Sequence, residues 1–288
     1  MPPLSSDGAE NEHTAGRGDP GSGRPSGAAK RGESLSDEIV RIAARAGRIM
    51  LENGSETNRV QDTVNTLCLA LGMVEADSFA TPTGLMLTAT NREGRSFSIV
   101  TRITSRTIDL EKVTRVFELA RGVTSRRVDP GTVGLELDRI VATRHYPDLV
   151  KVAVGAATAA CCTLLFGGGY REALATLPVG ALVKLLSLLL GRIRLNDFFI
   201  NVVGGMVAAI LAFAAVAVGL ASRGDRIVVG SIMLLIPGIT MVNAIRDTIS
   251  GDLVAGISRT VEALIVALAI AIGTGLGVRI WSMAFGGL

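Results

Sequence analysis

Apolar residues change their spacing partway along this chain. Up to about residue 147 they recur at the intervals of amphipathic elements, and from Leu149 onward they run together with few charges between them. The first region therefore reads as a water-exposed domain with one buried face per element, and the second as helices apolar on every side. Residues 1–33 are Pro, Gly, Ser, Ala and charges without apolar periodicity, and are predicted to be disordered. Ser34 or Ser36 is a candidate cap for a helix reaching about Glu52; Gly54 ends it, and Ser55 caps the next. In that second helix Val60, Val64, Leu67, Cys68 and Leu71 form one stripe, and Gly72 is placed to terminate it. Two strand-like stretches follow at about 76–89 and 96–103, split by the turn residues Asn91, Glu93 and Gly94. Asp109 opens a third helix that stops at Gly122, and 131–144 reads as a fourth. Residues 34–147 thus make a small α+β domain.

Beyond it, the predicted membrane spans are 149–168, 173–190, 198–221, 227–245 and 261–283. A bilayer core roughly 30 Å thick needs about 20 helical residues, which these runs supply. The fold class is then a small α+β cytoplasmic domain followed by an all-α transmembrane bundle of about five helices in 148–288. Pro178 and Lys184 interrupt the second span. No apolar segment stands near Met1 to act as a signal peptide, so the N-terminal domain is expected to stay in the cytoplasm. Arg139, Arg144 and Lys151 before the first span, with Arg192 and Arg194 after the second, agree with a cytoplasmic N-terminus in the inner (plasma) membrane. Arg223 and Arg226 fall on the opposite side in that scheme.

Composition narrows the chemistry. Cys68, Cys161 and Cys162 make no disulfide framework, and His13 and His145 give no ligand spacing, so neither a metal nor a cofactor is expected. The net charge of +3 comes from arginines scattered among nearly as many acids, which argues against a nucleic-acid partner. No phosphate-binding GxxxxGK[ST] loop, nucleophile elbow or His-linked triad occurs, so an ATPase or hydrolase finds no support.

The informative stretch is SIMLLIPGITMVNAIRDTISGDLVAGISRTVEA, Ser231 to Ala263. Pro237 removes a backbone donor and Gly238 relaxes the backbone, so the fourth span should break near its midplane. Unwound backbone at such a depth is a common binding place in transporters; a packing kink is the other reading. Thr240, Asn243, Arg246, Asp247 and Ser250 share one narrow helix face leading away from the break. Arg246 could hold a carboxylate, and Asp247 an ammonium or a proton. Alternatively Arg246, Asp247, Asp252 and Arg259 form an ion-pair cluster that stabilises a loop. Arg259 and Glu262 are spaced to pair with each other. Lys184 and Asn201 also lie inside spans, and Lys184 reads first as a snorkelling side chain. The small-residue stretches Gly155 to Cys162 and Gly273 to Gly277 read as close-packing surfaces.

MLENGSETNRVQDTVNTLCLALGM (Met50 to Met73) with TPTGLMLTAT (Thr81 to Thr90), and LLIPGITMVNAIRDTISGDLVAGISR (Leu234 to Arg259), resemble the N-terminal half of the threonine/serine exporter family. The resemblance runs from about Ser34 to Val278. It implies a cytoplasmic domain and five spans exporting small amino acids, driven by the proton gradient. Longer members carry a second five-span half; a chain that ends after the first implies a separate membrane subunit, or a second copy, supplying the other. Split pairs of this kind are also linked to export of succinate-like dicarboxylates. The positions matching the family's motif are Pro237, Gly238, Asn243, Asp247, Gly251, Gly256 and Arg259, with Gly54 and Glu56 in the first domain. The expected substrate pathway is Pro237, Gly238, Thr240, Asn243, Arg246, Asp247, Gly251, Asp252 and Arg259, with Gly54 and Glu56 as a separate motif of the first domain. The functional expectation is a secondary-transporter subunit, not an enzyme, for threonine and serine or for a dicarboxylate. The rivals are a membrane-anchored enzyme with its site beside Ser55 and a non-transporting scaffold.

Overall fold

The computed structural model describes residues 27–125, 128–143, 146–193 and 195–286. The expected disordered segment falls outside these as far as residue 26. The first helix, α1 (Gly27–Glu52), begins ahead of the Ser34 and Ser36 caps. α2 (Thr57–Ala70) ends as expected: Gly72 takes a φ of 109°, and the amides of Gly72 and Met73 bond back to Leu69 and Cys68.

The first strand-like stretch is two strands. β1 (Glu75–Thr81) and β2 (Gly84–Thr90) pair antiparallel with Thr81 opposite Gly84, so only Pro82 and Thr83 form the connection. Proline has no amide to give a ladder, which is why the chain reverses there rather than continuing. β3 (Ser96–Arg102) adds to β2, giving a three-stranded meander in the order β1-β2-β3. α3 (Leu110–Ser125) runs past Gly122. α4 (Pro130–Ala142) starts on Asp129, whose carboxylate accepts from the Gly131 amide at 3.1 Å. One face of the sheet and all four helices enclose a core of branched and long side chains, among them Met50, Val60, Val64, Leu67, Leu85, Leu87 and Leu137.

Among the described residues four helices are long and apolar enough to cross a membrane: α5 (Asp148–Leu165), α6 (Tyr170–Arg192), α7 (Asp197–Ala217) and α10 (Leu253–Phe285). α6 stays continuous through Pro178. The expected span 227–245 is not one helix. It is divided into α8 (Gly224–Ile232) and α9 (Gly238–Ile249).

Small residues set the packing of this bundle. A methyl group added at Gly180 would lie 2.6 Å from Ala159 Cβ, and one at Gly273 would lie 2.0 Å from the Val202 carbonyl oxygen. Gly273 beside Val202 and Gly277 beside Met206 make α7 and α10 parallel. On that register the start of α7 is level with about residue 268 of α10, so about 15 residues of α10, roughly 22 Å, project beyond the bundle. The segment 224–237 runs antiparallel to α7, from Gly224 beside Phe213 and Val216 to Leu235 beside Gly204. α9 then folds back along the projecting part of α10, and this pair carries the N-terminal unit.

Candidate functional site

The break in 233–237 is built from local bonds. The amides of Met233, Leu234 and Leu235 bond to Val229, Ser231 and Ile232, and Pro237 sits at φ −80°, ψ 60° with the Gly238 amide donating to the Ile236 carbonyl at 2.9 Å. That is an inverse γ-turn centred on Pro237. Gly238 itself does not use a positive φ. The break also lies nearer one end of the bundle than the predicted midplane. Pro237 lines the same crevice as Asp197 and Asn201, from the first turns of α7. The reason is the polar stripe of α9, which sits against the N-terminal unit rather than inside the bundle.

The stripe and the Gly54–Glu56 turn, far apart in sequence, form one joint. Gly54 takes a φ of 91°, which lets α1 end and α2 begin within four residues, 53–56. The expected cap at Ser55 is not made, because Ser55 Oγ is turned to the Glu56 carbonyl at 3.3 Å. The first amide of α2, Thr57 N–H, donates instead to Asp247 Oδ1 at 3.0 Å. A carboxylate from α9 thus caps α2 and meets the positive end of its dipole. Asp247 is fully buried, and its Oδ2 lies 2.9 Å from Arg259 Nε, an ion pair poorly aligned as a hydrogen bond. Arg259 also donates to the Ser55 carbonyl at 2.7 Å, and Asn243 Nδ2 to the Gly54 carbonyl at 2.9 Å. Thr57 Oγ1 donates to Asp252 Oδ2 at 3.1 Å. Arg246 pairs with Glu56 at 3.2 Å on the exposed rim. Gly251, at φ 90°, makes the reversal from α9 to α10, and Gly256 lets the two helices touch: a methyl there would lie 2.1 Å from Thr248 Oγ1.

Arg259 and Glu262 do not pair with each other. Arg259 goes to Asp247, and Glu262 bonds to Arg106, from the loop after β3, at 2.7 Å. Ser250, expected on the same face, stays exposed at the end of α9.

Beside this joint lies a crevice of about 580 Å³. The N-terminal unit contributes Gly54, Pro82, Thr104, Arg106 and Thr107; the helices contribute Lys184, Asp197, Asn201, Pro237, Thr240, Asn243, Arg259 and Glu262. Of the sequence-predicted residues, Gly54, Pro237, Thr240, Asn243 and Arg259 line it, whereas Asp247, Gly251 and Asp252 act behind its wall and Arg246 stands on the rim. Gly238 and Glu56 border a smaller neighbouring hollow with Arg246. Arg106 and Asp197 carried no signal as site residues in the sequence: one is in a loop, the other in a helix's first turn. Lys184 and Asn201 did carry one, as polar residues inside apolar spans. A larger groove of about 800 Å³ between α8 and α10 is lined mainly by apolar residues such as Ile232, Ile270 and Val278. Among the described residues no cluster of His, Cys, Asp and Glu suits a metal ion.

The described residues thus form a polar crevice at the end of a bundle of membrane-length helices, walled partly by a second folded unit. The chain belongs to the threonine/serine exporter family: the family profile described as "Putative threonine/serine exporter" matches residues 41–281. Over 252 residues it is 25% identical to "Threonine/serine exporter" of Corynebacterium glutamicum, covering 84% of this chain and 51% of that protein. It is 24% identical over 244 residues to "Probable threonine/serine exporter" of Mycobacterium tuberculosis, covering 84% and 46%. Against "Probable succinate transporter subunit YjjP" of Escherichia coli K12 it is 24% identical over 253 residues, covering 85% of this chain and 95% of that protein. The chain spans about half the length of the two exporters and nearly all of the YjjP protein. No solved structure matches it.

Proposed function

We propose that this chain is half of a secondary exporter for small carboxylate-bearing metabolites, and that the polar crevice is its cytoplasmic mouth. The crevice carries the reading: charged and amide side chains from the N-terminal unit and from α6, α7 and α10 converge at one end of the apolar bundle. Residues 34–147 are then a cytoplasmic domain and 148–288 the membrane domain, in the inner membrane. α5, α6, α7 and α10 make four crossings. The segment 224–237 makes the fifth, because it runs the height of α7 from Val216 to Gly204 with its last turn unwound. Lys151 and Arg192, both bonded to Asp148, stand at the crevice end, as the positive-inside rule requires of a cytoplasmic face. At the opposite end Arg226 forms an ion pair with Asp225, which offsets its charge, and donates to the Phe166 carbonyl.

The substrate is threonine or serine, as in the names of the two long relatives. A second reading, a succinate-like dicarboxylate, is favoured by the relative that this chain covers almost completely. In both readings a second membrane half, a separate subunit or a second copy, completes the passage. The joint of Gly54, Glu56 and Thr57 with Asn243, Arg246, Asp247, Asp252 and Arg259 ties the cytoplasmic domain to the wall of the mouth. A tilt of that domain therefore moves α9 and Pro237. Efflux of threonine, serine and succinate from loaded cells tests the reading. Loss of one of them that depends on this chain and on a candidate second half is expected. No efflux of any, with the chain verified in the membrane, would overturn it.

A further inference from the structure

The charges around the crevice divide into two kinds. Arg106 is bonded to Glu262 and Arg259 to Asp247, so two of its three cations already have acidic partners. The third, Lys184, has no carboxylate partner among the described residues, and neither has the remaining acid, Asp197. The crevice as a whole is close to neutral, yet it holds one free ammonium and one free carboxylate on neighbouring helices.

Both have bland explanations. Lys184 packs its methylenes across Gly155, where a built methyl would lie 3.0 Å from Lys184 Cγ, and a lysine on such a site simply reaches for water. Asp197 stands in the first turn of α7, where a carboxylate is favoured by the helix dipole. Neither explains why the two flank one cavity without pairing. Asn201, one turn deeper than Asp197 on α7, turns its amide back to the Asp197 carbonyl at 2.7 Å rather than to Lys184. The Thr240 hydroxyl, which α9 brings to the same crevice, has no protein partner among the described residues.

We propose that Lys184 and Asp197 are the specificity-determining pair of the crevice: Lys184 takes the carboxylate of an α-amino acid and Asp197 its ammonium. The inference rests on the exporter reading and names the residues that choose between its two substrates. A zwitterion cancels both free charges at once. A dicarboxylate gains one ion pair with Lys184 and brings a second negative charge toward Asp197, which repels it. The wild-type crevice thus admits threonine and rejects succinate, and removing the Asp197 charge relaxes that rejection.

The test is binding of radiolabelled threonine and succinate to the full chain in lipid nanodiscs, with Lys184→Gln, Lys184→Arg and Asp197→Asn, each also followed by thermal unfolding. Loss of one charge-assisted contact should weaken threonine binding by at least about tenfold in Lys184→Gln, while Lys184→Arg stays within a few-fold of the wild type. Asp197→Asn should lose threonine and gain succinate. The proposal is overturned if Lys184→Gln or Asp197→Asn binds threonine as the wild type does. It is overturned equally if Lys184→Arg fails like Lys184→Gln while still folded, or if the wild type prefers succinate. A wild-type chain that binds neither ligand, alone or together with a candidate second half, overturns the exporter reading of the crevice, and this inference with it.

Discussion

The N-terminal unit and the helix bundle bury their interiors by opposite means. In the first, the core is centred on large side chains removed from water, among them Met50, Leu67, Leu85, Leu87 and Leu137. In the second, the tightly packed positions are Ala208, Ala209 and Ala212 with Gly180, Gly273 and Gly277, while large residues such as Leu165, Leu174 and Leu268 face outward. Hydrophobic burial drives the first arrangement. It cannot drive the second, where the surroundings are as apolar as the helices and stability comes from close backbone approach. Between them the polar joint belongs to neither: a buried ion pair and a borrowed helix cap bind two parts that each have their own core.

That contrast ranks the expected effects of substitution. The joint should be the most sensitive. Asp247→Ala leaves Arg259 buried and unpaired and removes the cap of α2, and breaking such a pair costs about 3–5 kcal/mol. A lower unfolding temperature of the purified protein and new protease access near residue 55 would show it. Asp247→Leu combined with Arg259→Met should recover most of the stability but not export. Recovery of export too would reduce the joint to a fastener. In the N-terminal core, Leu85→Ala should cost about 2–5 kcal/mol through lost burial and a cavity. The same readout should show the N-terminal unit melting while the bundle stays folded.

In the bundle the sensitive direction is reversed, since adding atoms does the damage. Gly273→Ala should cost about 1–3 kcal/mol by forcing α10 away from Val202, while Gly275→Ala, where a methyl meets nothing within 4 Å, should be neutral. Equal effects at both positions would refute the close-packing account.

The smallest effect concerns Cys68, whose thiol is pushed up to about 12 by burial. The folded chain then keeps a proton that the unfolded chain, at the ordinary 9.0, releases. This contribution to stability is intact below pH 9 and declines as pH rises toward 12. A variant retaining only Cys68 should resist thiol reagents at pH 8 until denatured.

Much of this was legible in the residues. The amphipathic stripe from Val60 to Leu71 and the stop at Gly72 follow from helical periodicity and a left-handed cap, both local. The break at Pro237 was legible as well, where a proline without an amide is followed directly by glycine, although Pro178 alone leaves α6 continuous. The division of one strand-like stretch into β1 and β2 was hidden, since alternation continues on both sides of Pro82 and Thr83 and only pairing reveals the reversal. The residues of the joint were largely visible as a set: Gly54, Glu56, Asn243, Asp247 and Arg259 do come together. What they do together was not visible. Asp247 is an acid on a helix face in the sequence, and becomes the cap of α2 only because α9 stands against a turn 190 residues earlier. The same holds for Arg106 and Asp197, whose place in the crevice depends on the docking of two separately cored parts.

Which segments are amphipathic, and that a helix stops at Gly72 and breaks at Pro237, could be read from the residues alone, because those properties depend on neighbours within a few positions; how 227–245 divides into α8 and α9, and the reversal at Pro82, could not. Which charges are paired and which stay free was set by the packing of distant segments. Pairing is a matter of distance between side chains that no local spacing specifies.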